Sequence, residues 1–67
     1  MHKHDPEQQP LAYTVEEFAK AYRISVAQVY VLLKRGEIRS FTIGRSRRIS
    51  HDAAIEFRDR LERTAAA

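Results

Sequence analysis

The sequence has no cysteine and no tryptophan, and it contains only two glycines. Without cysteine, neither a disulfide nor a thiolate metal site can stabilise the fold. Because Gly36 and Gly44 are the only glycines, a glycine-rich phosphate-binding loop is excluded as well. No apolar run approaches the length of a membrane span, and residues 1–10 lack the apolar stretch of a secretion signal. These absences predict an intracellular, cytoplasmic protein with no membrane partner.

Side chains that could carry out chemistry are few and poorly placed. His2 and His4 could ligate a metal, but two histidines do not supply the three or four ligands that a site needs. His51 and Asp52 are adjacent, and side chains one position apart on a helix do not face each other. The sequence therefore predicts that the protein is not an enzyme: no catalytic residue, no metal site and no cofactor.

Basic side chains are concentrated in the middle of the chain. The formal net charge is +3, yet residues 20–50 carry eight basic residues against one acid, Glu37. The segments on either side are both net acidic. Such asymmetry indicates a face that binds a polyanion. The eight basic residues are Lys20, Arg23, Lys34, Arg35, Arg39, Arg45, Arg47 and Arg48.

Two helices separated by a tight turn are predicted in the first half of the chain. Thr14 followed by Glu17 is a capping box, which begins the first helix. Ser25 followed by Gln28 is a second box, and Gly36 supplies the stop of the second helix. Since only about three residues lie between the helices, the pair forms a helix–turn–helix unit, which DNA-binding proteins use among others.

The hydrophobic period changes after the second helix. Phe41 and Ile43 alternate with a polar residue and Ile49 follows the arginines, which predicts two short strands joined by a loop at residues 44–47. Ser50 then caps a third helix. The apolar positions at core spacing in that helix are Ala54, Phe57 and Leu61.

Domain boundaries follow from composition. Residues 1–10 are polar, contain two prolines and predict a flexible arm. Residues 11–63 hold all the predicted elements and form the single domain. Residues 64–67 are predicted to be a frayed tail.

The second helix can be sorted into two faces by its 3.6-residue period. Val29, Leu32 and Leu33 share the side that packs against the first helix. The opposite side carries small and aromatic residues, an amide and cations, with no acid. A glutamine can pair with adenine, and alanine or valine can touch thymine methyl groups, so this face suits a DNA major groove. Binding of a partner protein to the Tyr30–Val31 patch is the alternative.

Three arginines, Arg45, Arg47 and Arg48, fall within four positions. Like charges this close repel, so the arrangement costs stability unless an anion neutralises it. A short charge run is usually a solvated turn. These arginines, however, follow the helix–turn–helix unit at the distance of a wing, and arginine is the better ligand for phosphates and for the minor groove. Together with the helix face, they predict nucleic-acid binding.

From Tyr13 to Phe57, about two-thirds of its length, the chain resembles the excisionase-type, MerR-like winged helix-turn-helix domains of small phage and mobile-element proteins. The motifs that carry the resemblance are "YTVEEFAKAY", "ISVAQVYVLLKRGEI", "FTIGRSRRIS" and "DAAIEF". The resemblance implies a mostly α fold: a helix-turn-helix, a two-stranded β-hairpin wing and a C-terminal helix. It implies DNA contacts from the recognition helix at Ser25, Ala27, Gln28, Tyr30, Val31 and Lys34, and from the wing at Arg45, Ser46, Arg47 and Arg48.

The resemblance also implies a function and partners. Excisionases are architectural proteins that bind repeated DNA sites cooperatively, bend the DNA and steer an integrase toward excision. The expected partners are double-stranded DNA, neighbouring copies of the protein and a phage integrase, at the nucleoid of a bacterial host. The short chain is expected to leave no room for an effector domain, which favours this role. A small promoter-binding regulator is the alternative, and a protein-binding adaptor is the third.

Overall fold

The computed structural model describes residues 11–66, and this part of the chain contains three helices and three short strands. The predicted winged helix-turn-helix is confirmed, with one strand more than expected. The predicted arm, residues 1–10, lies outside the described residues. Between residues 11 and 66, no helix combines the length and apolar character that crossing a membrane requires. The elements in order are β1 (Ala12–Thr14), α1 (Val15–Tyr22), α2 (Val26–Lys34), β2 (Phe41–Ile43), β3 (Ser46–Ser50) and α3 (His51–Ala66).

Helix α1 begins and ends with local hydrogen bonds. The Thr14 hydroxyl accepts from the main-chain nitrogen of Glu17 at 3.1 Å, and the Glu17 carboxylate accepts from the main-chain nitrogen of Thr14 at 2.9 Å. Both bonds of the predicted capping box are therefore present. The helix ends at Tyr22, and the cap residue that follows it, Arg23, has a left-handed φ of 58°. There the main-chain nitrogen of Ile24 donates back to the oxygen of Ala19 at 3.0 Å, which closes the tight turn between the helices.

Helix α2 is capped by half of its predicted box. The Ser25 hydroxyl accepts from the main-chain nitrogen of Gln28 at 3.0 Å, but the return bond from the Gln28 side chain is not formed. At the other end, Gly36 has a φ of 76° and its nitrogen donates to the oxygen of Leu33. A glycine adopts this conformation at no steric cost. Gly36 therefore ends α2, as the sequence predicted.

The sheet contains a strand that the sequence did not reveal. Its order is β1-β3-β2, with both pairs antiparallel. Strand β1 is only three residues long and pairs Tyr13 with Ile49. It is too short to show a strand period, and Thr14 also serves as the helix cap. The main-chain nitrogen of His51 adds a further bond to the oxygen of Leu11 at 2.9 Å.

The hairpin turn is shorter than predicted. It consists of Gly44 and Arg45 alone, because Ser46 already pairs with Ile43 and Arg47 pairs with Thr42. The loop predicted at residues 44–47 is therefore wrong in its extent. Gly44 has a φ of 60°, and a glycine with positive φ at the first position permits a two-residue hairpin turn.

The core lies where α1, α2, β3 and α3 meet. Phe18 stacks on Tyr22 at a centroid distance of 4.4 Å and meets Phe57 at 6.0 Å, which joins the first helix to the last. Ile49 brings β3 into this core with none of its surface exposed. The buried residues are Val15, Phe18, Ala19, Val29, Leu32, Ile38, Ile49, Ala53, Ala54 and Phe57.

Helix α3 extends past the body of the domain. It is capped as predicted, since the Ser50 hydroxyl accepts from the main-chain nitrogen of Ala53 at 3.0 Å. The helix continues to Ala66, so the domain boundary predicted at residue 63 falls inside it. Leu61, predicted at core spacing, is 48% exposed because the helix has left the core by that point.

Candidate nucleic-acid interface

The outward face of α2 is open to solvent along its whole length. Its inner side is held by Val29 and Leu32, which are buried against α1 and the rest of the core. With these two positions fixed, the helical period turns the predicted contact residues outward. All six of them are exposed: Ser25, Ala27, Gln28, Tyr30, Val31 and Lys34.

Two polar side chains at the start of α2 remain able to bond a ligand. The Ser25 hydroxyl accepts the capping bond but keeps its own proton, which it can donate to a phosphate oxygen. The Gln28 side chain makes no hydrogen bond to another residue between 11 and 66. Its amide therefore has both donors and its oxygen available for a base edge.

The arginines of β3 point in opposite directions. Side chains alternate along a strand, so Arg47 shares the face of the buried Ile49, which we call the inner face. Arg48 lies on the outer face, where its Nε donates to the Ser46 hydroxyl at 3.0 Å. Arg45 lies in the exposed hairpin turn. The four predicted wing residues are therefore close in the chain but do not form one cluster.

A cleft joins the end of α2 to the inner face of the hairpin. It has a volume of about 410 Å³. Within it, Nη1 of Arg47 donates to the Ser40 hydroxyl at 2.8 Å. The cleft thus unites residues predicted separately as helix and wing contacts. Its lining residues are Tyr30, Leu33, Lys34, Ser40 and Arg47.

Ser40 and Leu33 were not predicted as site residues. Leu33 was assigned to the core, and the structure leaves it half-buried, packed against the core on one side and lining the cleft on the other. Ser40 directly precedes β2, and it meets Arg47 only because the two-residue turn sets the register of the hairpin. The only indication of this contact in the sequence is that Ser40 lies seven residues before Arg47, on the other side of the predicted turn.

The cations of this surface differ from three arginines elsewhere in the fold that have acidic partners. Arg35 pairs with Glu37 at 3.5 Å, Arg39 with Glu56 at 2.9 Å and Arg58 with Asp59 at 3.3 Å. The hydrogen bond from Arg39 holds the pKa of the Glu56 carboxyl below its ordinary value. In the described part of the chain, no carboxylate lies within ion-pair distance of the site cations. Those cations are Lys34, Arg45, Arg47 and Arg48.

The outer face of the sheet carries two exposed apolar side chains. Phe41 is 43% exposed and Ile43 is 59% exposed. Phe41 lies directly opposite Arg48, and Ile43 lies opposite Ser46, so all four share this face. The face is turned away from the cleft, because Arg47 occupies the other side of the strand.

A family model described as a helix-turn-helix domain matches residues 12–60. The match begins at β1 and ends inside α3, so it contains both helices of the unit, the hairpin and all ten predicted contact residues. Comparison with the curated proteins gave no match, and comparison with the solved structures gave none.

Proposed function

The chain belongs to the helix-turn-helix domain family, and on that basis we propose that it binds double-stranded DNA sequence-specifically, with α2 in the major groove. One observation carries the proposal. The exposed face of α2 has no acid, and the four site cations, Lys34, Arg45, Arg47 and Arg48, have no carboxylate partner among residues 11–66. The positive charges of such a surface repel one another in the free protein, and the phosphates of bound DNA neutralise them.

The two halves of the surface have different tasks. Gln28 presents an unbonded amide near the start of α2, flanked by Ala27 and Val31, so this part reads base edges and thymine methyl groups. Arg45 and Arg48 on the hairpin contact the sugar–phosphate backbone. Contacts of that kind position a protein on the duplex and carry little sequence information.

Within this class we propose the excisionase role. The protein is not an enzyme and uses no cofactor; it acts in the cytoplasm of a bacterial host, at the nucleoid, through DNA geometry and through a phage integrase. A single module of this size buries only about 600–1,000 Å² against DNA, so one copy binds modestly. Neighbouring copies on tandem sites raise the occupancy, and together they offset the cost of bending the DNA.

Binding to a random-sequence duplex at increasing salt tests the DNA proposal. If the four site cations neutralise three or four phosphates, log K falls with log salt at about −0.9 per phosphate contact, giving a slope of about −2.7 to −3.6. A slope near zero would remove DNA as the partner and favour the protein-binding adaptor.

Footprinting on the DNA that flanks the gene tests the finer role. Several tandem protected sites beside a recombination core are expected for an excisionase. One protected site over a promoter would instead identify a transcriptional regulator, the alternative function.

A further inference from the structure

The cleft between α2 and the hairpin brings two cations to the same place. Lys34 reaches it from the last turn of α2, and Arg47 reaches it from the inner face of β3. One N–H of the Arg47 guanidinium is bonded to Ser40, and the others have no partner among residues 11–66. Two like charges in one cleft repel each other, so the arrangement is favourable when an anion lies between them.

We propose that this cleft binds a single phosphate of one DNA strand, shared by Lys34 and Arg47. The inference rests on the proposed DNA binding and assigns a ligand to a specific part of that surface. Tyr30 and Leu33 supply an apolar wall, against which the deoxyribose next to the phosphate packs. The volume of about 410 Å³ is enough for such a group, since small-molecule pockets begin at about 300 Å³.

Ser40 acts as a positioning residue in this site. Its hydroxyl accepts from Nη1 of Arg47 at 2.8 Å, which fixes the guanidinium plane and leaves Nε and Nη2 for the anion. A fixed guanidinium can bond two phosphate oxygens at once, and less side-chain freedom is lost on binding. Arg47 therefore works with the end of α2, whereas Arg45 and Arg48 contact other phosphates.

The salt dependence of binding to a random-sequence duplex distinguishes a shared phosphate from separate ones. If Lys34 and Arg47 share a phosphate, K34A or R47A alone leaves it neutralised, so either slope stays close to that of the wild type. The double variant then loses about 0.9 from the slope. If each cation neutralises its own phosphate, each single variant loses about 0.9 and the double variant loses about 1.8, which would overturn the proposal.

Arg48→Ala is the matched control, because Arg48 is the next residue in the chain but lies on the other face of the strand. Its slope should fall by about 0.9, and the loss should add to that of any cleft variant. Circular dichroism of each variant confirms that the fold is retained. A wild-type slope near zero would reject the proposed DNA binding itself, whereas a full slope with additive losses from K34A and R47A would reject only the shared phosphate.

The role of Ser40 is tested by its dependence on Arg47. Ser40→Ala should weaken binding about 3–10-fold in the wild-type background, the effect of one lost hydrogen bond, and should have no effect in the R47A background. Ser40→Thr keeps the hydroxyl and should restore most of the affinity. An equal loss in both backgrounds would show that Ser40 contacts DNA directly and would overturn its positioning role.

Discussion

The hydroxyl of Tyr22, in the last turn of α1, donates to the main-chain oxygen of Ala54 on α3 at 3.0 Å. The ring of Tyr22 also stacks on Phe18 and meets Phe57 at 5.8 Å. Burial raises the pKa of the Tyr22 hydroxyl above its ordinary value, although the nearby Arg58 works in the opposite direction. Tyr22 therefore joins α1 to α3, both by packing and by a hydrogen bond that requires the neutral form of its hydroxyl.

Tyr22→Phe should lower the free energy of unfolding by about 0.5–1.5 kcal/mol near neutral pH, because one partly buried hydrogen bond is lost. Since the folded pKa is raised, the stabilisation is complete below the ordinary tyrosine pKa of about 10 and is lost as the pH rises from there through the raised folded pKa. Urea unfolding at about pH 7 and about pH 10.5 should show a steeper fall for the wild type than for the variant. Tyr30→Phe, on the exposed face of α2, is the control and should match the wild type; parallel pH profiles for wild type and Tyr22→Phe would contradict the prediction.

Arg23→Gly should raise the free energy of unfolding by about 0.5–1 kcal/mol. Arg23 holds a left-handed conformation with a φ of 58°, which a glycine adopts without the steric penalty of a Cβ. The control is Arg23→Ala, which removes the same charge but keeps the Cβ and should give no gain. Equal stabilisation by both variants in urea unfolding would show that charge, rather than backbone conformation, is responsible.

Gln28→Ala should weaken binding to a selected DNA site by about 1–3 kcal/mol while leaving binding to random DNA almost unchanged. The reason is that its unbonded amide can read a base edge. Arg45→Ala should weaken both, because a backbone contact is made on any sequence. Binding titrations on the selected site and on a random duplex measure both effects. Equal losses on the two DNAs from Gln28→Ala would show that α2 does not read the sequence there.

Two tandem copies of the selected site should be filled cooperatively, and the complex should bend the DNA. Bending should appear as a change in gel mobility when the site is moved along circularly permuted fragments, at a cost of about 1–6 kcal/mol that several linked copies offset. Independent filling of the two sites, with mobility unaffected by position, would count against the excisionase role and favour the promoter-binding regulator.

The helix ends could be predicted from the sequence because their stabilising contacts are local. Thr14 meets Glu17 three residues away, and Gly36 ends α2 through its own backbone conformation. Strand β1 could not be predicted in this way. Its three residues have a partner only once the chain has returned with Ile49, so the strand depends on tertiary structure rather than on its own pattern.

The sequence predicted which arginines lie in the wing, but it did not predict the face of the sheet to which each side chain points. A charge count finds Arg45, Arg47 and Arg48, yet the face of each one depends on the number of residues in the turn. Successive side chains of a strand point to opposite faces of the sheet. Because residues 44–47 were predicted to be a loop, the sequence did not show which arginine side chain faces α2. Ser40 was missed for the same reason, since its contact with Arg47 exists only in the observed register.

Arg47 lies on the same face of β3 as Ile49, which is completely buried. The direction of the Arg47 side chain therefore cannot change without also moving Ile49 out of the core. Sliding the strand by one residue would bring Arg48 into the cleft, but it would also turn Ile49 toward solvent and forfeit roughly 1.5–3 kcal/mol of burial. The exposed side chains of α2 carry no such penalty and can be exchanged one at a time. If α2 and Arg47 contact DNA as proposed, substitutions on α2 can change which bases are contacted, over evolution or in redesign, whereas the contact of Arg47 with the DNA backbone depends on the folding of the domain.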